Sequence, residues 1–210
     1  MLNIVDDGMT ALDLSPLVLD DAALDVLFRE ARTANSFTDE PVSDAQLQAI
    51  YHLTKFGPTL MNAQPLRLVS IRTPEGKARL LPHLAEGNRA KTEAAPLTLV
   101  LGYDVDFHEQ LPKVFPHAPG AKDRFSDEQV RHGIGRDNAF LQAGYLILAI
   151  RAAGLAAGPM GGYDREGLDA ELFPDGRTKS VLVVNVGHPG ENAWFDRLPR
   201  LDYDEVVTEL

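Results

Sequence analysis

Gly57-Pro58-Thr59-Leu60-Met61-Asn62-Ala63-Gln64-Pro65 runs straight into Leu66-Arg67-Leu68-Val69-Ser70-Ile71-Arg72. The second stretch alternates in the way of a half-buried strand, so a sheet begins here. In the first stretch, Pro58 and Pro65 bracket a rigid loop that carries two side-chain amides, Asn62 and Gln64. An amide both donates and accepts hydrogen bonds, which suits the polar edge of a flat heterocyclic ligand. The same residues also make a plain helix-to-strand connection, where Pro and Asn are common. Taken alone, the loop leaves both readings open.

Upstream, Ser43 is a good N-cap, with Gln46 in the capping-box position. Leu47, Ile50, Tyr51 and Leu53 give that helix its expected buried stripe, and Gly57-Pro58 ends it. An earlier helix is expected to start at Asp20 or Asp21, where carboxylates suit the positive end of the dipole. Leu24, Leu27 and Phe28 would form its apolar face. Residues 1–18 are aperiodic and expected to be loosely ordered, leaving 19–210 as a single domain. Downstream, Thr73-Pro74-Glu75-Gly76 reads as a turn, followed by a short helix through Leu81. The apolar run 97–101, between Pro96 and Gly102, reads as a central strand, and 181–186 as a second. Residues 104–128 carry three prolines and several charges and read as an irregular excursion. Residues 140–153 form the most apolar helix, the expected core helix, ended by Gly154. Strands separated by helices, with no repeat or linker, make one mixed domain of helices and sheet.

Composition narrows the function. A chain of 210 residues, 44% hydrophobic, supports one substantial core. A net charge of -11 argues against nucleic acid and anionic lipid as partners, since both need clustered Lys and Arg. There is no cysteine, which excludes disulfides, thiolate nucleophiles and zinc ribbons. No run approaches the roughly 18 apolar residues of a membrane span. The acidic N-terminus lacks the basic start of a secretory signal, so the cytoplasm is the expected compartment.

Several motifs are weak on their own. Gly133-Ile134-Gly135-Arg136-Asp137-Asn138 lacks the third glycine of a dinucleotide fingerprint and follows no expected strand. The acid-rich run Asp104, Asp106, His108, Glu109 reads more readily as a solvated loop than as a metal site. No Walker A loop and no Gly-x-Ser-x-Gly elbow is present. Arg32-Thr33 can grip a phosphate by charge-assisted bonds, or be a cation favoured at a helix C-terminus. Arg197 and Arg200 are anion ligands or surface ion-pair partners. Gly158-Pro159-Met160-Gly161-Gly162 either lets backbone approach a flat ligand or is a tight turn using positive φ. Asn88 and Lys91, a helical turn apart, put an amide and an ammonium on one ligand edge, or simply start a solvated helix.

Taken together and in order, these segments resemble the flavin-dependent nitroreductase family, from about Asp20 onward. They are most similar to its malonic semialdehyde reductase branch, through Ala31-Arg32-Thr33, Phe115-Pro116-His117 and the stretch 142–149. The resemblance implies an α+β fold, a mostly antiparallel central sheet wrapped by helices, in an intertwined homodimer. It implies FMN in clefts at the dimer interface and NADH or NADPH as co-substrate. It places cofactor contacts on Arg32, Thr33, Asn35, Thr59, Asn62, Gln64, Asn88, Lys91, Gly161, Gly162 and Arg200, with the 58–65 loop given largely by the partner subunit. It implies ping-pong hydride transfer through flavin N5 to a small aldehyde, nitro or quinone acceptor, and no catalytic acid, base, nucleophile or metal. The expected activity is reduction of malonic semialdehyde to 3-hydroxypropionate in pyrimidine breakdown. The alternatives are a general nitroreductase or quinone reductase, and a flavin-binding module without turnover. Against the commoner pattern, Leu66 stands where Trp is frequent, Ala31 and Asn35 where basic residues are usual, and Met160-Gly161-Gly162 lacks an acid.

Overall fold

The structure, a computed structural model, describes residues 17–210, so the expectation for residues 1–18 falls almost wholly outside it. The chain divides into two compact units, 1–31 and 32–210. In the first, α1 (Asp21–Leu24) is capped by Asp20, whose carboxylate accepts the Ala23 N–H at 2.8 Å. It continues as a wide π-type turn over Asp25–Arg29, braced by Arg29 on Asp21 and Asp25. That turn breaks the regular helical spacing, and Phe28 ends 50% exposed rather than on a buried face.

The second unit is built on four strands, β1 (Leu66–Ile71), β2 (Leu97–Asp104), β3 (Ala156–Met160) and β4 (Thr178–Gly187). All pairings are antiparallel and the order is β1-β2-β4-β3. The central pair, β2 and β4, includes both apolar runs expected to be buried strands. The helices are α2 (Asp44–Thr54), α3 (Pro74–Leu80), α4 (Glu86–Ala94), α5 (Leu111–Val114), α6 (Glu128–Ala152), α7 (Arg165–Leu172) and α8 (Tyr203–Val206).

One sheet face carries Leu97, Leu99, Leu101, Val184 and Val186 against α2 and α6, through Ile50, Ala143, Leu146 and Ile150. The other carries Ile71, Val100, Val183 and Met160 against Leu80, Leu84 and Leu168. The capping box of α2 forms as expected: Gln46 N–H donates to Ser43 Oγ, and Ser43 N–H donates to Gln46 Oε1. Its buried face is Leu47, Ile50 and Thr54, while Tyr51 and Leu53 are 53% and 47% exposed, contrary to the expected stripe.

Three further expectations change. The core helix begins well before Phe140, at Glu128, capped by Asp127, and swallows the Gly133–Asn138 motif. Its outer face exposes Phe140, Leu141 and Tyr145, so it is a core helix on one side only. Residues 104–128 are ordered into two 3-10 turns around α5, over a small core of Phe107, Leu111, Ala121 and Phe125. And Ala156-Ala157-Gly158-Pro159-Met160, read partly as a turn, is an edge strand, the place where a sheet tolerates proline. A Cβ on Gly158 would fall 2.7 Å from the Ala34 carbonyl oxygen, so glycine lets the 32–37 segment lie against this edge.

Candidate functional site

At the β3 edge, four stretches of sequence meet. Ala34 N–H donates to Ala157 O at 3.0 Å, and Asn35 N–H to Ala193 O at 2.9 Å, which fixes the Arg32-Thr33-Asn35 segment alongside β3. Lys91 Nζ lies 3.5 Å from Asn35 Oδ1. One turn earlier on α4, Asn88 Nδ2 donates to Gly162 O at 3.0 Å, and that carbonyl also accepts the Ala85 N–H. Gly161 and Gly162 follow β3 directly, and neither has positive φ, so the tight-turn reading of these glycines fails. Gly161 is exposed and a Cβ there would enter open space, so no side chain stands between a flat ligand and this backbone, whose carbonyl accepts the Tyr163 N–H at 3.2 Å. Arg32, Thr33, Asn35, Asn88, Lys91, Gly161 and Gly162 thus share one region with two cations, two amides and bare backbone. That donor set fits a phosphate-bearing, planar cofactor.

At the opposite edge, the 58–65 loop leads into β1. It holds Met61, Asn62 and Gln64 at positive φ, each on the order of 1 kcal/mol of strain for a non-glycine residue. Side chains hold it there. Asn138 and Gln142, both nine-tenths or more buried on α6, accept the N–H groups of Leu60 and Leu66 at 2.7 and 3.0 Å. Thr59 Oγ1 accepts the Gln64 N–H, Gln64 Nε2 donates to Asn62 Oδ1, and Asn62 Nδ2 donates to Val114 O. From β1, Arg67 Nη1 donates to Gln64 O and Leu66 O, while its Nη2 donates to Asp104 Oδ2 at 2.6 Å. Asp104 belongs to the acid-rich run, but its carboxylate goes to Arg67 and Arg177. Burial pushes that carboxyl up; the bonds from Arg177 and the Asp106 N–H, with the charge of Arg67, outweigh it and hold the pKa below the ordinary value.

A cavity of about 400 Å³ opens beside this loop, lined by Gln64, Arg67, Gln110, Lys113 and Gln142. A larger one, about 740 Å³, lies between α6, α7 and the start of β4, and none of the expected site residues borders it. Arg200 joins neither group: its Nη1 donates to Leu198 O and Pro199 O, within its own exposed segment. The expected set therefore splits. Seven of its residues gather at the β3 edge, and Thr59, Asn62 and Gln64 lie at the β1 edge, with two strands between, about 14 Å at ordinary strand spacing. Asn138 and Gln142 were missed as site-building residues. Two amides one turn apart in an apolar helix are the signal that could have found them.

The profile of the Nitroreductase family matches residues 28–188, and the chain belongs to that family. It is 60% identical over 195 residues to a Streptomyces coelicolor protein provisionally named NADH dehydrogenase/NAD(P)H nitroreductase, covering 92% of this chain and 99% of that one. A Streptomyces griseus protein of the same provisional name is 58% identical over 195 residues, again 92% and 99% of the two chains. Among solved structures, a nitroreductase from Exiguobacterium sibiricum in complex with FMN superposes with a TM-score of 0.80 at 19% identity, over 92% of this chain and 99% of that one. The nitroreductase-like α+β fold, a four-stranded antiparallel sheet with helices on both faces, agrees with the resemblance. Among the described residues no helix is long and apolar enough to cross a membrane.

Proposed function

We propose that this protein is an FMN-dependent NAD(P)H oxidoreductase working as a homodimer, with small carboxylated aldehydes, malonic semialdehyde first, as acceptors. The observation that carries the flavin reading is the convergence of Asn35, Asn88, Lys91 and Gly161-Gly162 from separate segments onto one edge of the sheet. Arg32 and Thr33 would hold the FMN phosphate, Asn88 and Lys91 the ribityl chain and the pyrimidine side of the ring, and the bare backbone at 161–162 the ring itself. FMN, when bound, supplies a two-electron carrier between NAD(P)H and the acceptor. Lys91 would stabilise negative charge on the ring through its ammonium. The names of the relatives at 60% and 58% identity support the same class of activity.

The dimer reading rests on the split of the site. With Thr59, Asn62 and Gln64 at the β1 edge, one chain's loop would complete its partner's cleft, and the exposed apolar face of α6 would pack on its mate. Arg200, on an exposed segment, would likewise act only where that segment is held against a site.

The acceptor reading rests on Lys113. It lines the cavity beside Gln64, whereas Lys122, another cation of the 104–128 stretch, is already paired with Glu109. An ammonium there would attract the carboxylate of a short aldehyde acid. The relatives' names favour a second reading, a nitroarene or quinone acceptor. One steady-state comparison decides between them: the purified protein should be yellow, release FMN on denaturation, and show a higher kcat/KM for malonic semialdehyde than for a nitroarene. A colourless protein that binds no FMN would end the flavin reading. A nitroarene preference would end only the acceptor reading.

A further inference from the structure

Beneath the β3-edge cluster lies a polar chain in an otherwise apolar core. Lys77, on α3, is 5% exposed, yet its ammonium satisfies all three donors: Thr92 O at 2.5 Å, Ala95 O at 3.0 Å and Thr98 Oγ1 at 2.6 Å. Thr98 Oγ1 donates on to Asn185 Oδ1 at 2.8 Å, Asn185 Nδ2 donates to Thr92 Oγ1 at 3.0 Å, and Thr92 Oγ1 donates to Met160 Sδ at 3.6 Å. Thr92, Thr98 and Asn185 are fully buried. Lys77 donates to two backbone carbonyls and to Thr98 Oγ1, and from Thr98 the donors run on through Asn185 and Thr92 to the methionine, so each polar side-chain atom of the chain has a partner.

Two features show what this chain does. It begins at the C-terminal carbonyls of α4, where a cation is favoured by the helix dipole, and α4 is the helix that carries Asn88 and Lys91. It ends on Met160, the residue before Gly161-Gly162. At its other end α4 grips the same segment, through Asn88 Nδ2 and Ala85 N–H on Gly162 O. Helix and segment are therefore tied together at two points, one exposed and one buried. A directional polar chain in which each polar atom has a partner rigidifies the core around it and specifies one arrangement of the elements it joins.

We infer that Lys77, Thr98, Asn185 and Thr92 are positioning residues that fix α4 against the 160–162 segment and so set the geometry of the cofactor cradle. The inference rests on the flavin reading above for its consequence, though not for the coupling itself. None of these side chains would touch FMN. They act through Asn88, Lys91 and the backbone at 161–162.

The test uses Thr92→Val, which keeps the shape and removes the hydroxyl, and Thr92→Ser, which restores it. Ile50→Val, in the core on the opposite sheet face, serves as a destabilised control. Thr92→Val should weaken FMN binding about tenfold, shift the flavin midpoint potential, and speed amide exchange of Ala85 in the FMN-free protein. Thr92→Ser should recover all three. Ile50→Val should lower the Tm and move none of them. Lys77→Met should repeat the Thr92→Val pattern. The inference is overturned if Thr92→Val keeps wild-type FMN affinity, potential and Ala85 protection, or if Ile50→Val produces the same changes. A wild-type protein that binds no FMN would defeat the flavin reading alone, and Ala85 exchange would still decide the coupling.

Discussion

Replacing Asp104 by asparagine tests the anchor of the 58–65 loop. The Asp104 side chain is 3% exposed and accepts from Arg67 Nη2 at 2.6 Å, Arg177 Nε at 3.1 Å, Arg177 Nη2 at 3.3 Å and the Asp106 N–H at 2.9 Å. Asparagine keeps one acceptor oxygen and turns an amide donor towards a guanidinium. Breaking a buried ion pair costs about 3–5 kcal/mol. Here the arginine side chains are 37% and 47% exposed and can rehydrate, so about 2–3 kcal/mol is expected. In a protein of this size that lowers the Tm by roughly 5–10 °C. The sign with pH follows from the direction of the shift. The folded-state pKa lies below the ordinary 3.8, so the stabilisation is present above 3.8 and is lost as pH falls through the folded value. Calorimetric melts of wild type and variant should differ fully at pH 7 and converge in acid below 3.8. A Tm loss under about 2 °C, or a gap that stays constant into that acid range, would refute the account of Asp104 as a charged anchor.

Three further outcomes are expected. Gly161→Val should fold with a wild-type Tm, since a Cβ meets nothing within 4 Å, yet purify without flavin; a fully yellow variant would remove Gly161 from the cradle. Lys91→Met should lower the flavin reduction potential by about 30 mV, roughly 1.4 kcal/mol for a two-electron couple; an unchanged midpoint would make Lys91 an ordinary solvated lysine. Burial pushes the Lys77 ammonium down from 10.5 to about 8, so between these values the unfolded chain binds the extra proton and stability from this group rises with pH. Melts of Lys77→Met should lack that rise, and a wild type that loses stability relative to it over this window would contradict the assignment.

What was legible in the sequence was what short-range physics decides. The Ser43/Gln46 box needs only four neighbouring residues, and the apolar runs of β2 and β4, each broken by a single polar residue, Thr98 and Asn185, leave little choice but a buried sheet. β3 was hidden because Gly158 and Pro159 are poor strand formers, and its strand state is imposed by β4 on one side and by the 32–37 segment on the other. The first half of α6 was hidden because Gly133, Gly135, Arg136 and Asp137 dilute its apolar signal; Asp127 caps it and Phe107 and Tyr103 pack on Gly135. In the site, family resemblance brought Asn35, Asn88, Lys91 and Gly162 together before any contact was visible. It did not assign a role to Asn138, Gln142 or Lys77, which hold backbone in place. Their partners lie 76 to 78 residues away for the two amides, a separation that no local pattern encodes.

Sequence also leaves open which part of the apolar α6 surface faces the core and which faces a partner, and the resemblance implies that the 140–153 helix serves in the dimer core. Ala139, Ala143, Leu146 and Ile150 face the sheet at helical spacing, as a core stripe requires. Phe140, Leu141 and Tyr145 lie off that stripe, and their chemistry is equally apolar, so sequence reads one wide hydrophobic helix. Within a single chain those large side chains are 42–53% exposed, an arrangement that favours a covering surface. The proposed dimer supplies one and answers a second need. Met61, Asn62 and Gln64 are strained, and their loop is held by Asn138 and by Arg67, itself paired with Asp104, although the loop lies at the opposite sheet edge from the β3-edge residues of its own chain. Strain maintained so carefully is expected where a residue has a task. On this reading the loop's task lies in the neighbouring subunit's cleft, and one contact, α6 on α6, both buries the apolar stripe and delivers the loop. Sedimentation of a flavin-loaded, active monomer would separate these two needs and leave the strain without a purpose.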